Sequence, residues 1–339
     1  MKGKRIVTLV IAVFVVMFVA SAVLTSTWLY RYAHSPLNPD LGAVTVYIPP
    51  GSAFVSIAEM LEREGLIDNR RLFYLLARIR NVHHDLKAGE YELSGGSTPL
   101  ELMDKLRRGD VKVHWVTIPE GLNMFEVADR FAARGFVDRD RFVALLSEAD
   151  FLASLGIEAD SAEGYLYPDT YAVTRSAREE DIIRFIVRRF HEEVSEEMVL
   201  EAEKLGYSFY EILTIASLVE KEARVKEEMP LISAVFHNRL KKGMRLQSDP
   251  TAIYLVDDFE GRIRRRDLQR PTPYNTYRIS GLPPGPICNP GIEAIRAALN
   301  PAPVDYLYFV SKNDGTHHFS TYLSDHNRAV IKYQIKREK

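Results

Sequence analysis

The hydrophobic pattern of the chain begins with one long apolar segment. From Ile6 to Tyr30 the sequence contains no charged residue, and nearly all of its side chains are apolar. About 20 such residues in a helix are enough to cross a hydrocarbon core of about 30 Å. The segment 6–30 therefore predicts a transmembrane helix. Because residues 1–5 are basic, we expect them to form a cytoplasmic tail, with the body of the protein on the other side of the membrane. The alternative is a cleaved signal peptide with a processing site at residues 20–22.

Two stretches with the same hydrophobic pattern follow a linker at residues 31–43. VYIPPGSAFVSIAEMLEREGLIDNRRLF, from Val46, aligns without a gap with VTIPEGLNMFEVADRFAARGFVDRDRFV, from Val116. Each begins with alternating apolar and polar positions, which predicts a short strand, and passes a Pro-x-Gly turn. Apolar residues at helical spacing then predict two helices. We therefore expect related strand–helix–helix units in residues 44–112 and 113–200.

The first copy adds a second strand, AGEYEL, and a capped helix, STPLELMDKLRRGD. The strand–helix–helix–strand order of residues 44–112 resembles LysM-like modules, which bind N-acetylated glycans. A duplicated structural unit that binds no glycan explains the same pattern equally well. The predicted fold class is α+β, with a transmembrane helix, a LysM-like αβ module and a mixed α/β domain behind them.

Composition and charge exclude several functional classes. The formal net charge is −2, and no basic stretch interleaved with aromatics is present, so we expect no nucleic-acid binding. Cys288 is the only cysteine, which excludes an internal disulfide and a cysteine-based zinc site. His317, His318 and His326 lack metal-ligand spacing. We expect neither a metal nor a cofactor.

TIASLVEKEA, residues 214–223, lies in a predicted interior helix. Ser208 and Glu211 form a capping box at its start, and apolar residues surround nearly its whole circumference. Glu220 and Glu222 point about 200° apart on such a helix, so they cannot serve one site together. Glu222 has Lys226 at i+4, which predicts a surface ion pair.

Glu220 is the more interesting carboxyl of the two. Its neighbours at helical spacing are apolar, and an apolar environment raises the pKa of a carboxyl. A glutamate with a raised pKa can act as a general acid near neutral pH. From the spacing alone, a structural carboxyl bonded to the backbone or to an arginine is equally compatible.

Polar and aromatic residues in the segments that follow are candidates for substrate binding. The second helix, PLISAVFHNRLKKG, ends in an amide and an arginine. MRLQSDPTAIY and the proline-rich loop RPTPYNTYRISGLPPGPICNPG come next, and long ordered loops are usually functional. Aromatic rings stack on sugar faces and amides bond to acetamido groups. The candidates, each of which could instead be a turn, cap or core residue, are Asn238, Gln247, Asp249, Tyr254, Asn275 and Tyr277.

Four motifs together carry a family resemblance. ASLVEKEA, NRLKKGMRLQSDPT, PTPYNTYRISGLPPGPI and YLYFVSKNDGTHHFS, behind an N-terminal anchor and a LysM-like region, resemble the endolytic murein transglycosylases, the YceG-like family. The resemblance implies a peptidoglycan lyase whose catalytic glutamate falls on Glu220. It also implies that residues 201–339 form the catalytic core, with 113–200 as part of the same unit.

The reaction that the resemblance implies needs one carboxyl group. Protonated Glu220 would donate to the oxygen between N-acetylmuramic acid and N-acetylglucosamine, and its carboxylate would then accept the proton of the muramoyl C6 hydroxyl. The product is a 1,6-anhydro end inside a nascent strand, which would terminate strand elongation. Two alternatives stay open: a hydrolase that uses Asp249 as a second carboxylate, and a non-catalytic glycan-binding scaffold.

The expected surroundings follow from the anchor and from the resemblance. We expect the protein in the cell (inner) membrane as a single-pass protein, with its catalytic body periplasmic or extracytoplasmic. The expected partners are peptidoglycan glycan strands, the membrane and peptidoglycan synthases such as penicillin-binding proteins.

Overall fold

The computed structural model describes residues 2–256, 259 and 261–335, with side chains from Ile6 onwards. The chain forms two compact units. The first runs to His114 and includes Thr174–Ser176, and the second contains Trp115–Val173 and the residues from Ala177 onwards. Both units mix helices with two-stranded antiparallel sheets, in agreement with the predicted α/β composition.

The first unit begins with an apolar helix, α1 (Lys2–His34). From Ile6 to His34 it is long and apolar enough to cross a membrane, and apolar side chains such as Phe14 and Phe18 are exposed. The helix therefore has the properties predicted for a membrane span. It continues past residue 30 into the body of the unit, where Ala33 is buried and the hydroxyl of Tyr32 donates to the carbonyl of Asn69 at 3.2 Å.

The rest of the first unit is a two-stranded antiparallel sheet packed with helices. Its strands pair antiparallel, from Ala43 opposite Ser94 to Ile48 opposite Gly89. A Thr98 capping box starts the last helix, as the sequence predicts. In chain order the elements are β1 (Ala43–Ile48), α2 (Phe54–Arg63), α3 (Arg70–Ile79), β2 (Gly89–Ser94) and α4 (Pro99–Arg108).

The second unit is largely helical, with two further two-stranded sheets, β3–β4 and β5–β6. Its first elements are β3 (His114–Thr117), α5 (Met124–Ala132), α6 (Arg139–Leu145), α7 (Ala149–Ser154), β4 (Thr170–Val173) and α8 (Glu179–Glu193). Its later elements are α9 (Glu196–Leu205), α10 (Phe209–Glu222), α11 (Met229–Lys241), α12 (Asp249–Ile253), α13 (Ile292–Leu299), β5 (Tyr308–Ser311), β6 (His317–Ser320) and α14 (Leu323–Val330).

The two copies of the repeat have the same local structure. In both, a strand leads through a turn with a positive-φ glycine, Gly51 or Gly121, into two successive helices. These glycines have φ values of 77° and 80°, which a residue with a Cβ adopts only with strain. The shared sequence pattern therefore reflects a shared strand–turn–helix–helix geometry.

Helix α10 runs through the core of the second unit. Every residue from Ile212 to Val219 is buried, and the helix packs against α9, α11, α12 and α13. The capping box between Ser208 and Glu211 starts it as the sequence predicts. Burial around the whole helix fixes its rotation, so its last turn presents each side chain to a defined neighbour.

A buried polar network ties three distant segments of the second unit together. The Asn289 side chain accepts hydrogen bonds from the N–H groups of Gly164 (2.9 Å) and Leu166 (2.8 Å). Its amide donates to the carbonyl of Leu122 (2.8 Å) and to the Glu163 carboxyl (3.1 Å). Glu163 is also buried, and burial raises its pKa to about 7.

Candidate active site

The two carboxyl groups of interest lie at the C-terminal end of α10. The helix ends at Glu222, because Ala223 takes an extended conformation with ψ 134°. Both Glu220 and Glu222 are partly buried. Their different directions on the last turn place them in different surroundings, as the helical spacing predicts.

A cavity of about 320 Å³ opens at Glu222, at the lower end of the range of about 300–1,000 Å³ for ligand sites. One wall comes from α10, α11 and the loops around Gln247 and Tyr277, and the other from the C-terminal β5–β6 hairpin and α14. Its lining is mostly polar: Glu222, Arg239, Leu246, Gln247, Asp249, Tyr277, Phe309, Val310, Ser311, His317, His326, Val330 and Gln334.

Glu222 has the surroundings of an acid that is protonated near neutral pH. Burial raises its pKa to about 7, and the nearby negative charge of Asp249 adds to the increase. A hydrogen bond from the hydroxyl of Ser248 to Oε1 (2.6 Å) and the charge of Arg239 act in the opposite direction without cancelling it. A carboxyl with a pKa in this range can both give and take a proton near neutral pH.

The predicted surface ion pair between Glu222 and Lys226 is wrong. Lys226 lies in a short 3₁₀ helix, Lys226–Glu228, that begins after α10 has ended. The i+4 relation holds only within a continuous helix. With the helix interrupted at Ala223, the Glu222 side chain bonds instead to Ser248, on the loop that enters α12.

Glu220 faces a different neighbourhood. Its Oε2 accepts the N–H of Gly291 at 3.0 Å, in the loop before α13. Burial raises its pKa, and the charge of Glu120 adds to this, against the Gly291 hydrogen bond and the charges of Lys226 and Lys221. Glu220 is not among the residues that line the cavity at Glu222. Its environment matches the structural alternative, a carboxyl bonded to the backbone.

Three of the predicted substrate-binding residues come together in the cavity. Gln247, Asp249 and Tyr277 all line it beside Glu222. The Tyr277 hydroxyl donates to Asp249 Oδ1 at 2.6 Å. Gln247 has φ 50°, a left-handed conformation that is uncommon outside glycine and clusters at functional sites. The structure thus groups residues that are up to thirty positions apart in the sequence.

The other three predicted residues are not among those that line the cavity. The hydroxyl of buried Tyr254 donates to Glu163 at 2.8 Å. Fully buried Asn275 donates to two loop carbonyls and accepts the N–H of Tyr277 at 3.0 Å. Asn238 donates to the carbonyls of Val304 (2.7 Å) and Tyr306 (3.0 Å). Their polar groups are used inside the protein.

Several residues of the cavity were not predicted from the sequence. Arg239 is buried and donates to the carbonyls of Leu307 (2.6 Å) and Leu246 (2.8 Å), which joins the two walls. His317 and His326 come from the C-terminal segment. The sequence did contain a signal for Arg239: in the run NRLKKGMRLQSD it directly follows Asn238, a predicted site residue, on the same helix.

Within the part of the chain that the structure describes, no three or more His, Cys, Asp or Glu side chains are grouped as metal ligands. The titratable groups that line the cavity include the carboxyl groups of Glu222 and Asp249 and the imidazoles of His317 and His326, all of which can transfer protons. The polar lining, with carboxyl, amide, hydroxyl, imidazole and guanidinium groups, can form hydrogen bonds with a hydroxyl-rich ligand.

Fold and site together define a mixed α/β protein with a polar cleft, in which a carboxyl protonated near neutral pH stands at the end of a buried helix. Residues 46–332 match the model of the YceG-like family. The chain belongs to the YceG-like family, which confirms the resemblance seen in its motifs.

Named relatives and a solved structure agree with this assignment. An endolytic murein transglycosylase of Bacillus subtilis (strain 168) is 33% identical over 324 residues, covering 90% of this chain and 89% of that protein. One from Streptococcus pneumoniae strain D39 is 31% identical over 340 residues; the match covers 90% of this chain and 61% of the pneumococcal protein. The crystal structure of a yceG-like protein from Listeria monocytogenes is 34% identical, with a TM-score of 0.58 over 84% of this chain and 98% of that chain.

Proposed function

We propose that this protein is an endolytic murein transglycosylase, a lyase that cleaves the bond between N-acetylmuramic acid and N-acetylglucosamine within peptidoglycan strands. The relatives named above support the reaction class. The observation that carries the proposal is the position of Glu222, a carboxyl with a pKa of about 7 in a polar cleft. A group with a pKa near the working pH is suited to give and to take a proton.

In this proposal Glu222, and not Glu220, is the proton donor. Its protonated carboxyl donates to the glycosidic oxygen as the bond to C1 of the muramoyl residue breaks. The C6 hydroxyl of the same residue attacks C1, so the product is a 1,6-anhydro end and no water is consumed. Gln247, Asp249 and Tyr277 line the cleft and are proposed to contact the sugar. The negative charge of Asp249 would stabilise the cationic transition state.

A hydrolase is the second candidate, because Asp249 supplies a carboxylate in the same cavity as Glu222. An inverting hydrolase holds its second carboxylate free to activate water. Here the Tyr277 hydroxyl donates to Asp249 at 2.6 Å, which favours a structural and electrostatic role. Digestion of purified peptidoglycan by the full-length protein in detergent tests both. We expect fragments one water lighter than hydrolysis products; fragments of full hydrolysis mass would contradict the lyase.

The apolar helix α1 supports a membrane anchor. We propose that the protein is single-pass in the cell (inner) membrane, with the N-terminus cytoplasmic and the catalytic unit extracytoplasmic, where nascent strands are made. From there it would terminate strand elongation beside peptidoglycan synthases such as penicillin-binding proteins. We also propose a LysM-like glycan-binding role for the first unit, supported by its strand–helix–helix–strand order.

The pH dependence of the reaction should respond to Asp249. Glu222 donates only while protonated, so we expect kcat/KM to fall as the pH rises through about 7, the pKa of this carboxyl. The charge of Asp249 raises that pKa, and Asp249→Asn therefore moves the decline to lower pH. The matched control is Asp140→Asn, an exposed carboxylate on α6, which should leave the profile in place. An unmoved decline in Asp249→Asn would contradict the role of Glu222.

A further inference from the structure

Glu228 and His317 form a carboxylate–imidazole pair in the second unit. Glu228 Oε2 lies 2.7 Å from His317 Nδ1, and the carboxylate also accepts the His317 backbone N–H at 2.9 and 3.1 Å. Because a carboxylate only accepts hydrogen bonds, it places the ring proton on Nδ1. The lone pair of the neutral ring is therefore on Nε2.

The ring of His317 is held in place and belongs to the cavity of Glu222. Its edge packs against Phe309 and Phe319, with ring centroids 5.4 and 6.2 Å away. His317 lines the cavity, and no residue in the described part of the chain forms a hydrogen bond with its Nε2. The lining of the cavity thus includes an imidazole oriented by Glu228, in addition to the carboxyl group of Glu222.

We propose that His317 is a second proton-transfer residue of the site, the base for the substrate hydroxyl that attacks the anomeric carbon. This inference rests on the proposed function. Glu222 gives its proton to the glycosidic oxygen, which takes the electron pair of the breaking C1–O bond. The C6 oxygen forms the new bond to C1, and its proton passes to Nε2 of His317. The imidazolium, paired with Glu228, then returns a proton to the Glu222 carboxylate, which closes the cycle without water.

His326 is the other imidazole of the cavity and is less suited to this role. Its ring stacks on Tyr308, with centroids 5.3 Å apart. It makes no hydrogen bond or ion pair with any carboxylate of the described residues, and its buried Nδ1 has no partner. Burial and the positive charges of Arg239 and His318 lower its pKa, so the protonated form is disfavoured. A base needs that form to be stabilised as it accepts a proton.

The test is chemical rescue in the full-length protein. His317→Ala removes the base and leaves space for free imidazole. We expect kcat on purified peptidoglycan to fall by about 10²–10⁴-fold, the usual contribution of a general base, with KM changed little. Added imidazole should restore part of kcat in this variant and should not affect the wild type. Glu228→Gln keeps a hydrogen-bonding side chain but removes the charge, so it should also lower kcat at an unchanged KM.

The control variant is His318→Ala, and His326→Ala is the comparison variant within the cavity. His318 is the next residue of β6 and lines a separate cavity with Asp325 and Arg328, so its removal should leave kcat unchanged. Wild-type turnover in His317→Ala would overturn the inference, as would rescue by imidazole in His326→Ala instead. If His317→Ala does not fold, wild-type turnover in Glu228→Gln overturns it equally. If Glu222→Gln is inactive and His317→Ala is fully active, the role of His317 is contradicted and the proposed function stands. If the wild-type protein is inactive on peptidoglycan, the proposed function itself is contradicted.

Discussion

Glu222→Gln should abolish the release of glycan fragments from purified peptidoglycan, whereas Glu220→Gln should keep most of it. The side-chain amide that the first substitution introduces has no acidic proton to donate to the glycosidic oxygen, and general acid catalysis contributes about 10²–10⁴-fold. Glu220 bonds to the backbone of Gly291, outside the cavity that Glu222 lines. We therefore expect a loss of at least about 10²-fold in the first variant and less than about 10-fold in the second.

The two variants control for each other, since both exchange a partly buried glutamate for glutamine within one helical turn of α10. Muropeptide release measured by chromatography gives the rate, and thermal melting confirms that both variants are folded. The opposite result, with Glu220→Gln inactive and Glu222→Gln active, would return the catalytic role to the residue that the family motif alone suggests.

Asn289→Ala should be among the most destabilising single substitutions in the second unit. The change leaves the N–H groups of Gly164 and Leu166, the Leu122 carbonyl and one contact of Glu163 without their partner. Each buried polar group that loses its partner costs about 1–3 kcal/mol. Because neighbouring losses overlap, we expect the free energy of unfolding to fall by about 3–5 kcal/mol, measured by urea denaturation.

The comparison variant is Asn300→Ala. Asn300 is exposed, and its amide donates to the carbonyl of Arg296 at 3.3 Å. Substitutions at such surface positions are usually within about 0.5 kcal/mol of the wild type. Equal stability of the two variants would show that the buried network does not hold the second unit together.

Local structure was largely predictable from the sequence. The capping box at Ser208 starts α10 as predicted, and the helix predicted to be capped, α4, has a capping box at Thr98. Both could be predicted because their hydrogen bonds involve residues only three apart. The C-terminal strands β5 and β6 pair antiparallel, with Tyr308 opposite Ser320. At α12, Ser248 precedes the helix and Asp249 is its first residue.

The two glutamates show where the sequence was insufficient. Their opposite directions follow from helix geometry, but nothing in the helix tells which direction meets a cavity. That depends on Ser248 and Tyr277, which the fold brings to one side of α10, and on the end of the helix at Glu222. The i+4 lysine was misleading because it lies beyond the end of that helix.

The predicted residues of the proline-rich loop also differ in how far the sequence could assign their roles. Composition predicted that amides and aromatics near the proline-rich loop would serve the site, and Tyr277 does line the cavity. Asn275, two positions earlier, stabilises the loop by donating hydrogen bonds to the carbonyls of residues 268 and 270. The sequence does not show that these carbonyls lie beside its amide. His317 was considered only as a metal ligand, since its pairing with Glu228 joins segments 89 residues apart.

The central claim is that Glu222 is a carboxyl that still holds a proton near neutral pH. Its titration can be followed directly through the side-chain carbonyl signal of ¹³C-labelled glutamate in the full-length protein, assigned by its absence in Glu222→Gln. The account predicts a midpoint at about pH 7. A midpoint near 4.5, the ordinary value for a glutamate, would contradict it.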